Sequence, residues 1–236
     1  MQDMTFDICR SISNTSDNQQ LIDERDGKVY YVNKLADGNC WMTQNLDYDD
    51  PASTRVTSVS GTNGGPGTDW KNESDMRQYW DPGEMVVSGA KLSTATSSTD
   101  KHLLVGNYYS YSSATKGTGN GVTAAGANAS DSICPNGWQL PTSNSSNSGS
   151  FGKLQVAGSI GSTGSKLNEA PYYFQYGGYV LSGNLSNAGT FGYYWSSTAS
   201  DVSKAYLLQF TSSSVSPSNN LNRYLGMSVR CLVLGS

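Results

Sequence analysis

Short alternations of apolar and polar side chains near the end of the chain constrain its fold more than any other feature. Residues 205–210 place aromatic or aliphatic side chains at every second position, and residues 227–233 repeat the pattern. A period of two is typical of half-buried β-strands. Residues 192–198 predict a third strand. The intervening segment 211–222 consists mostly of Ser, Thr and Asn, so we expect a polar surface loop that adds nothing to a core.

The length and charge of the chain limit its organisation and its partners. With 236 residues it can bury a core as one large β-rich domain or two small ones, and we interpret residues 1–236 as a single domain. Only 14% of residues are charged and the net charge is −4, so electrostatic binding of nucleic acid or anionic lipid is not expected. No apolar run approaches the roughly 18 residues of a membrane span. The start of the chain lacks signal-peptide features, so we expect any export signal or anchor to lie outside it.

Four cysteines allow three pairings. None lies in a CxxC motif and His102 is the only histidine, so a zinc site is not expected. Cys134 opens a Cys-Pro-Asn-Gly-Trp turn and Cys231 lies on the apolar face of the last predicted strand. We therefore predict the disulfides Cys134–Cys231 and Cys9–Cys40, which would indicate an extracellular environment. The alternative is four reduced, buried thiols in a cytosolic protein.

The N-terminal residues 1–46 predict a β-meander. Asp26-Gly27 is a strong hairpin signal between the apolar stretches 21–23 and 28–34. A second turn leads to a short third strand at 40–42.

Further along the chain, the tyrosine-rich stretches 103–111 and 171–181 predict strands. Thr142 is a candidate N-cap for a helix whose weak apolar face contains Phe151 and Leu154. Loops are predicted where glycine and small polar residues accumulate, at 58–67 and 115–130.

Two features of the less regular middle region leave alternatives open. The acidic turn 49–51 has ligands that calcium uses, but solvated turns of this composition are far commoner, and we expect no metal and no cofactor. Trp70, Tyr79 and Trp80 stand in polar sequence. They either face a ligand or fix a long loop to the body of the protein.

Several motifs occur in an order that resembles a known family. They are LADGNCWMTQNL at 35–46, GNYY at 106–109, ICPNGWQLPT at 133–142, YWSST at 194–198 and SVRC at 228–231. Together they look like the Fibrobacter succinogenes major paralogous domain family of bacterial surface or secreted proteins. That family is similar to the formylglycine-generating-enzyme branch of the C-type lectin fold. The resemblance implies an α+β, C-type-lectin-like domain: a twisted antiparallel sheet, one or two helices and long loops.

The resemblance does not imply catalytic activity. The sulfatase-activating relatives use reactive cysteines near a copper site, whereas Cys134 and Cys231 stand at positions typical of structural cysteines. One histidine cannot complete a Ser/His/Asp set, and no paired carboxylates are recognisable. We therefore expect no enzyme. Calcium-dependent lectins contain Glu-Pro-Asn and Trp-Asn-Asp motifs, but Trp195 is followed by Ser-Ser-Thr, so calcium-mediated sugar binding is not expected.

The end of the chain, 193–232, also resembles the variable proteins of diversity-generating retroelements. These carry a diversified C-terminal region rich in Asn, Ser and Tyr on a C-type lectin fold. We predict an exposed, rewritable surface here, although Leu221 and Leu225 could instead fold back as anchors. The candidate ligand-binding residues are Tyr193, Val202, Lys204, Leu207, Gln209, Ser214, Ser216, Asn219, Leu221, Leu225 and Met227.

The sequence therefore predicts a secreted or cell-surface, adhesin-like binding domain whose partner is a protein or glycan on another cell or surface. No nucleic-acid partner and no membrane insertion within this chain are expected. One alternative is a structural surface module without a specific ligand. The other is an enzyme of the formylglycine-generating type.

Overall fold

The structure, a computed structural model, describes residues 1–2, 4–12, 19–51, 54–56, 78–80, 104–181 and 184–235. For Phe6 and the strands at 54–56 and 78–80 it describes the backbone alone. Within these residues the fold is mixed α+β, with four short helices and twelve strands that pair mostly antiparallel. The predicted loop at 58–67, Trp70 and His102 lie outside the described residues. Among the helices of the described segments, none combines the length and the apolar character of a membrane span.

The N-terminal sheet joins both ends of the chain. Strands β1 (Gln19–Ile22), β2 (Val29–Lys34) and β3 (Cys40–Met42) pair antiparallel in chain order, and β12 (Leu232–Val233) pairs with β3. Gly27, in the turn between β1 and β2, has φ +74°, a left-handed conformation that glycine adopts without steric cost. The first three strands form where the turn signals place them.

A second sheet has the order β11-β10-β9 and contains β9 (Gly192–Ala199), β10 (Lys204–Phe210) and β11 (Val215–Asn222). The prediction of a loop over 211–222 is wrong, because most of this segment is β11. Its backbone pairs with β10, while most of its Ser and Asn side chains stay partly exposed. The backbone of an edge strand must be hydrogen-bonded to the neighbouring strand, but its side chains need not alternate between apolar and polar. A polar sequence can therefore form an edge strand.

Both faces of β9 and most of β10 are buried, so the prediction of half-buried strands is wrong for these two strands. Trp195 and Leu207 belong to one hydrophobic cluster. Tyr194, Leu208 and Phe210 point the other way into a second cluster. All five side chains are at most 2% exposed. The sheet is therefore the middle layer of the molecule.

The helices are short: α1 (Phe6–Ser11), α2 (Tyr111–Ala114), α3 (Ser150–Ala157) and α4 (Ser165–Asn168). All four residues of α2 are buried. Phe151 and Leu154 of α3 are buried, as their spacing predicts. Thr142 is not the N-cap, because Gly149 occupies that position. Thr142 nevertheless stabilises the first turn of α3, because its Oγ1 accepts a hydrogen bond from the Ser150 N–H (3.0 Å).

The remaining strands form two small sheets: β4 (Thr54–Val56), β5 (Gln78–Trp80) and β6 (Tyr108–Tyr109), and β7 (Tyr179–Leu181) with β8 (Asn184–Ser186). The predicted strand at 103–111 is shortened because Ser110 caps α2 by accepting a hydrogen bond from the Ser113 N–H (3.1 Å). The predicted strand at 171–181 contributes only β7. Two backbone carbonyls in the irregular part of that segment accept hydrogen bonds from Arg230 instead.

The segment 225–233 runs through the centre of the protein. Every one of its side chains is buried, whichever way it points, so the alternation predicted for 227–233 does not separate a core face from a solvent face. Only β12 at its end is a strand, and the rest forms single bridges, such as Met227 with Tyr109. This segment links the two sheets.

Both predicted disulfides are present. Cys9 and Cys40 are joined with an S–S distance of 2.13 Å, and Cys134 and Cys231 with 2.04 Å. The first attaches α1 to β3, and the second attaches the turn before Trp138 to the central segment. No cysteine is free.

Candidate ligand-binding face

Three neighbouring strands bring several predicted binding residues to one face of the C-terminal sheet. Gln209 on β10 lies opposite Tyr193 on β9 and Ser216 on β11, while Leu207 lies opposite Asn219. Cross-strand partners project to the same side of a sheet. Gln209, Ser216 and Asn219 are partly exposed, whereas Tyr193 and Leu207 are buried.

Partly exposed apolar side chains pack against the same hydrophobic cluster as Leu207, and two of them, Tyr179 and Phe191, contact the Tyr193 ring. We call the combined surface the strand-face patch. It consists of Tyr193, Gln209, Ser216 and Asn219 together with Tyr179, Leu181, Phe191, Leu221 and Tyr224.

Aromatic rings fix the position of Tyr193. Its ring stacks on Phe191, with centroids 5.7 Å apart and planes at 13°, and meets Tyr179 edge-on at 5.3 Å. The Asn187 side-chain amide donates a hydrogen bond to its hydroxyl (3.3 Å). Such aromatic pairs add about 0.5–1.5 kcal/mol beyond the area that they bury, so this part of the patch is preorganised.

Side-chain amides form the polar centre of the patch. The Asn219 Nδ2 donates a close hydrogen bond to the Gln209 Oε1, and the Asn219 Oδ1 accepts one from the Asn220 backbone N–H (2.9 Å). At the neighbouring edge, the Asn222 amide donates to the Tyr224 hydroxyl (2.9 Å). Within the described residues, the Gln209 Nε2 has no acceptor, so it offers a donor to a ligand.

The strand-face patch contains no charged side chain. Burial raises the pKa of Tyr193 above its usual value, and the hydrogen bond from Asn187 opposes this effect. The phenol of Tyr193 therefore stays neutral at physiological pH. The patch can contact a ligand through aromatic area, amide groups and hydroxyls, without ion pairs.

Four predicted binding residues belong to the core. Leu207 and Met227 are fully buried, Tyr193 is 5% exposed and Leu225 is 6% exposed, so the expectation that they lie at the surface is wrong. Leu207 is covered because a further layer of chain packs over this face of the sheet, and Met227 and Leu225 belong to that layer. The structure thus favours the anchoring interpretation of Leu225, while Leu221 remains partly exposed in the patch.

Three others are exposed but lie at the ends of the sheet. Val202 (60% exposed) belongs to the turn between β9 and β10, and Lys204 is the exposed first residue of β10. Asp201 fixes this turn, because its Oδ1 accepts hydrogen bonds from the Ser203 N–H (2.7 Å) and the Lys204 N–H (2.8 Å). Ser214 lies at the opposite end, between β10 and β11. These residues extend the candidate surface without joining the patch.

Sequence reasoning missed four patch residues: Tyr179, Leu181, Phe191 and Tyr224. The first two stand in the tyrosine-rich stretch 171–181, which predicts a strand but does not say which sheet it meets. Phe191 directly precedes β9 and could have been noted as an apolar neighbour of Tyr193.

The surroundings offer no obvious reactive centre. Within the described residues, no three His, Cys, Asp or Glu side chains are grouped as metal ligands would be. All four cysteines are in disulfides, so no thiolate is available in this state. Comparison with protein-family models, with curated proteins and with solved structures returned no match.

Proposed function

We propose that this chain is a secreted or cell-surface binding domain with a C-type-lectin-like fold, and that the strand-face patch holds its ligand. The observation that carries the proposal is the register of β9, β10 and β11. It aligns Tyr193, Gln209, Ser216 and Asn219 on one face, beside partly exposed aromatic side chains.

The chemistry of the patch supports binding. Tyr supplies a large contact area at low conformational-entropy cost, while Ser, Asn and Gln adapt their hydrogen bonds to different partners, as in antibody paratopes. A buried sheet and two disulfides hold these groups in place. A rigid surface loses less entropy on association.

The same arrangement supports a diversified surface, as in retroelement variable proteins. Gln209, Ser216, Asn219 and Leu221 belong to strands whose backbones pair in a ladder, but their side chains are partly exposed. Replacing such side chains changes the surface and leaves the ladder intact. The proposed partner is a protein or glycan on another cell or surface.

The test is a pair of displayed libraries in the intact chain. One randomises Gln209, Ser216, Asn219 and Leu221. The control randomises four residues outside the patch that are exposed on the far side of the sheet or in loops: Ser145, Lys153, Val156 and Ser162. Each library is sorted for surface display, which reports folding, and then for binding to purified lysozyme and to serum albumin.

We expect both libraries to be displayed almost as well as the parent, because surface substitutions usually change stability by less than about 0.5 kcal/mol. Specific binders should come from the patch library only. Equal numbers of binders from the control library, or loss of display across the patch library, would contradict the proposal.

A further inference from the structure

A second candidate site lies at the other end of β9. It is a groove of about 430 Å³ lined by residues of the segments 128–132 and 137–142 and by Ser197. Ser197 is four residues along β9 from Tyr193, which corresponds to roughly 13 Å along a strand. The groove is therefore separate from the strand-face patch, and its role does not depend on the function proposed above.

The walls of the groove are firmly held. Asn128 accepts a hydrogen bond at Oδ1 from the Thr198 hydroxyl (2.6 Å). The backbone of Gln139 exchanges two hydrogen bonds with Leu232, both 3.0 Å. The Trp138 indole N–H donates to a backbone carbonyl near the N-terminus (2.8 Å), and the Cys134–Cys231 disulfide fixes the start of this wall. A ligand would meet a preformed site, which lowers the entropy cost of binding.

Polar side chains project from both walls. Asn128 and Gln139 are exposed and line the groove from two different segments. In the described part of the chain, the Asn128 Nδ2 and the whole Gln139 amide have no hydrogen-bond partner. Each amide group presents a donor next to an acceptor. At the rim, the Asp131 Oδ1 accepts a hydrogen bond from the Ser132 N–H (2.7 Å), and its Oδ2 lies 4.0 Å from the Lys116 ammonium.

These groups exclude most classes of ligand. An anion is not favoured, because among the described residues the groove lining contains one carboxylate, Asp131, and no cationic side chain, and the nearby Lys116 ammonium is already paired with Asp131. Asp131 is also the only carboxylate there, too few ligands for a calcium ion. An apolar ligand finds little surface, because Trp138 and Leu140 are at most 5% exposed. The volume lies in the range of small-ligand sites, about 300–1,000 Å³.

We propose that this groove binds a short neutral saccharide, with the amides of Asn128 and Gln139 and the carboxylate of Asp131 as hydrogen-bond partners of its hydroxyls. Neighbouring sugar hydroxyls present donors and acceptors side by side, which matches a primary amide, and a carboxylate accepts strong charge-assisted hydrogen bonds from hydroxyls. This mode of binding requires no metal ion.

The experiment uses the isotope-labelled intact chain. Its side-chain amide signals of Asn128 and Gln139 are followed by NMR during millimolar titrations with maltose, cellobiose and lactose, and the chain is also applied to an array of neutral glycans. We expect at least one saccharide to shift both signals. Gln139→Ala and Asp131→Asn should each weaken binding by about tenfold or more, because a polar partner is lost.

Asn136→Ala is the matched control, since Asn136 is exposed in the adjacent turn and does not line the groove. It should bind like the parent. Gln139 and Asp131 are exposed, so well-dispersed spectra are expected from both variants. No shift with any disaccharide together with an empty array, or unchanged affinity in both variants, would overturn the proposal. The proposal would also be overturned if a short extended peptide, and no saccharide, shifted the amide signals of Asn128 and Gln139.

Discussion

Arg230 is a fully buried cation with no acidic partner among the described residues. Its guanidinium donates to the Asn45 Oδ1 (2.7 Å) and to the carbonyls of Met42 (3.1 Å), Tyr172 (3.0 Å) and Tyr173. Burial lowers its pKa to about 10. A planar fork of five donors can satisfy four acceptors from two separate segments, 42–45 and 172–173, at once. The motif Ser-Val-Arg-Cys therefore supplies an internal crosslink of hydrogen bonds.

We expect Arg230→Lys to destabilise the fold by about 2–4 kcal/mol. A lysine ammonium cannot span these acceptors, and each buried group left without a partner costs about 1–3 kcal/mol. Urea unfolding measures the loss. Arg10→Lys, on the exposed side of α1, is the control and should change stability by less than about 0.5 kcal/mol. Equal midpoints for the two variants would contradict the crosslinking role.

At the scale of elements, the hairpin β10–β11 combines core and surface on a single face. Leu207 and Gln209 project from β10 to the same side of the sheet, two residues apart. Leu207 is covered by the layer that contains Met227, whereas Gln209 lies beyond that layer and is partly exposed. Whether a side chain of β10 reaches the surface therefore depends on its position along the strand as well as on the face to which it points.

This pair gives a direct prediction. Leu207→Ala should cost about 2–5 kcal/mol, because it leaves a cavity in a closely packed cluster. Gln209→Ala should cost about 1 kcal/mol or less, since it removes one partly exposed hydrogen bond, to Asn219. Thermal unfolding of the two variants, measured side by side, checks the order. A Gln209 variant as unstable as the Leu207 variant would remove Gln209 from the rewritable surface.

These elements also explain how far the sequence could predict the structure. The N-terminal meander was accessible because its turn signals and apolar strands are local. Strand β11 was not, because its stability comes from backbone pairing with β10 and its polar side chains carry no alternation. The pairing of Tyr193 with Gln209 follows from the hairpin order of β9 and β10, whereas the position of Ser216 depends on β11. The contribution of Tyr179 does not, since tertiary packing brings β7 to that place.

For the whole molecule, buried tyrosines dominate the response to alkaline pH. Burial raises the pKa values of Tyr30, Tyr108, Tyr109 and Tyr194, and raises that of Tyr111 to about 12. Unfolded tyrosines ionise near pH 10. Above that pH the folded state holds more protons than the unfolded state, so stability falls as pH rises. The lowered pKa of Arg230 acts in the opposite direction, but it is one group against five.

We therefore expect stability to be constant below about pH 10 with respect to these groups and to be lost between about pH 10 and 12. Tyrosinate absorbance and circular dichroism, recorded in the same titration, are the measurements. Ionisation of the buried tyrosines should coincide with loss of structure. Complete ionisation near pH 10 with an intact circular dichroism spectrum would show that these side chains are accessible in solution.

The two disulfides differ in how much of the molecule they constrain. Cys134–Cys231 closes a sequence separation of 97 residues and ends in the fully buried segment that links the two sheets. Cys9–Cys40 closes a separation of 31 residues and attaches α1, whose Ile8 side chain is 43% exposed. The first crosslink acts on the global fold, and the second acts mainly on one end of the chain.

Paired serine substitutions test this difference without leaving single thiols. In the chain-entropy model, Cys134→Ser with Cys231→Ser should cost roughly 4–5 kcal/mol, and Cys9→Ser with Cys40→Ser roughly 3–4 kcal/mol. Local fraying of α1 should make the second loss smaller still, because Cys9 is the one buried residue among the α1 side chains that the structure describes. Non-reducing peptide mapping first verifies each remaining bond, and urea unfolding then gives both losses. If removal of Cys9–Cys40 lowers the free energy of unfolding more than removal of Cys134–Cys231, α1 and its disulfide belong to the stable core. The central segment would then not be the main source of global stability.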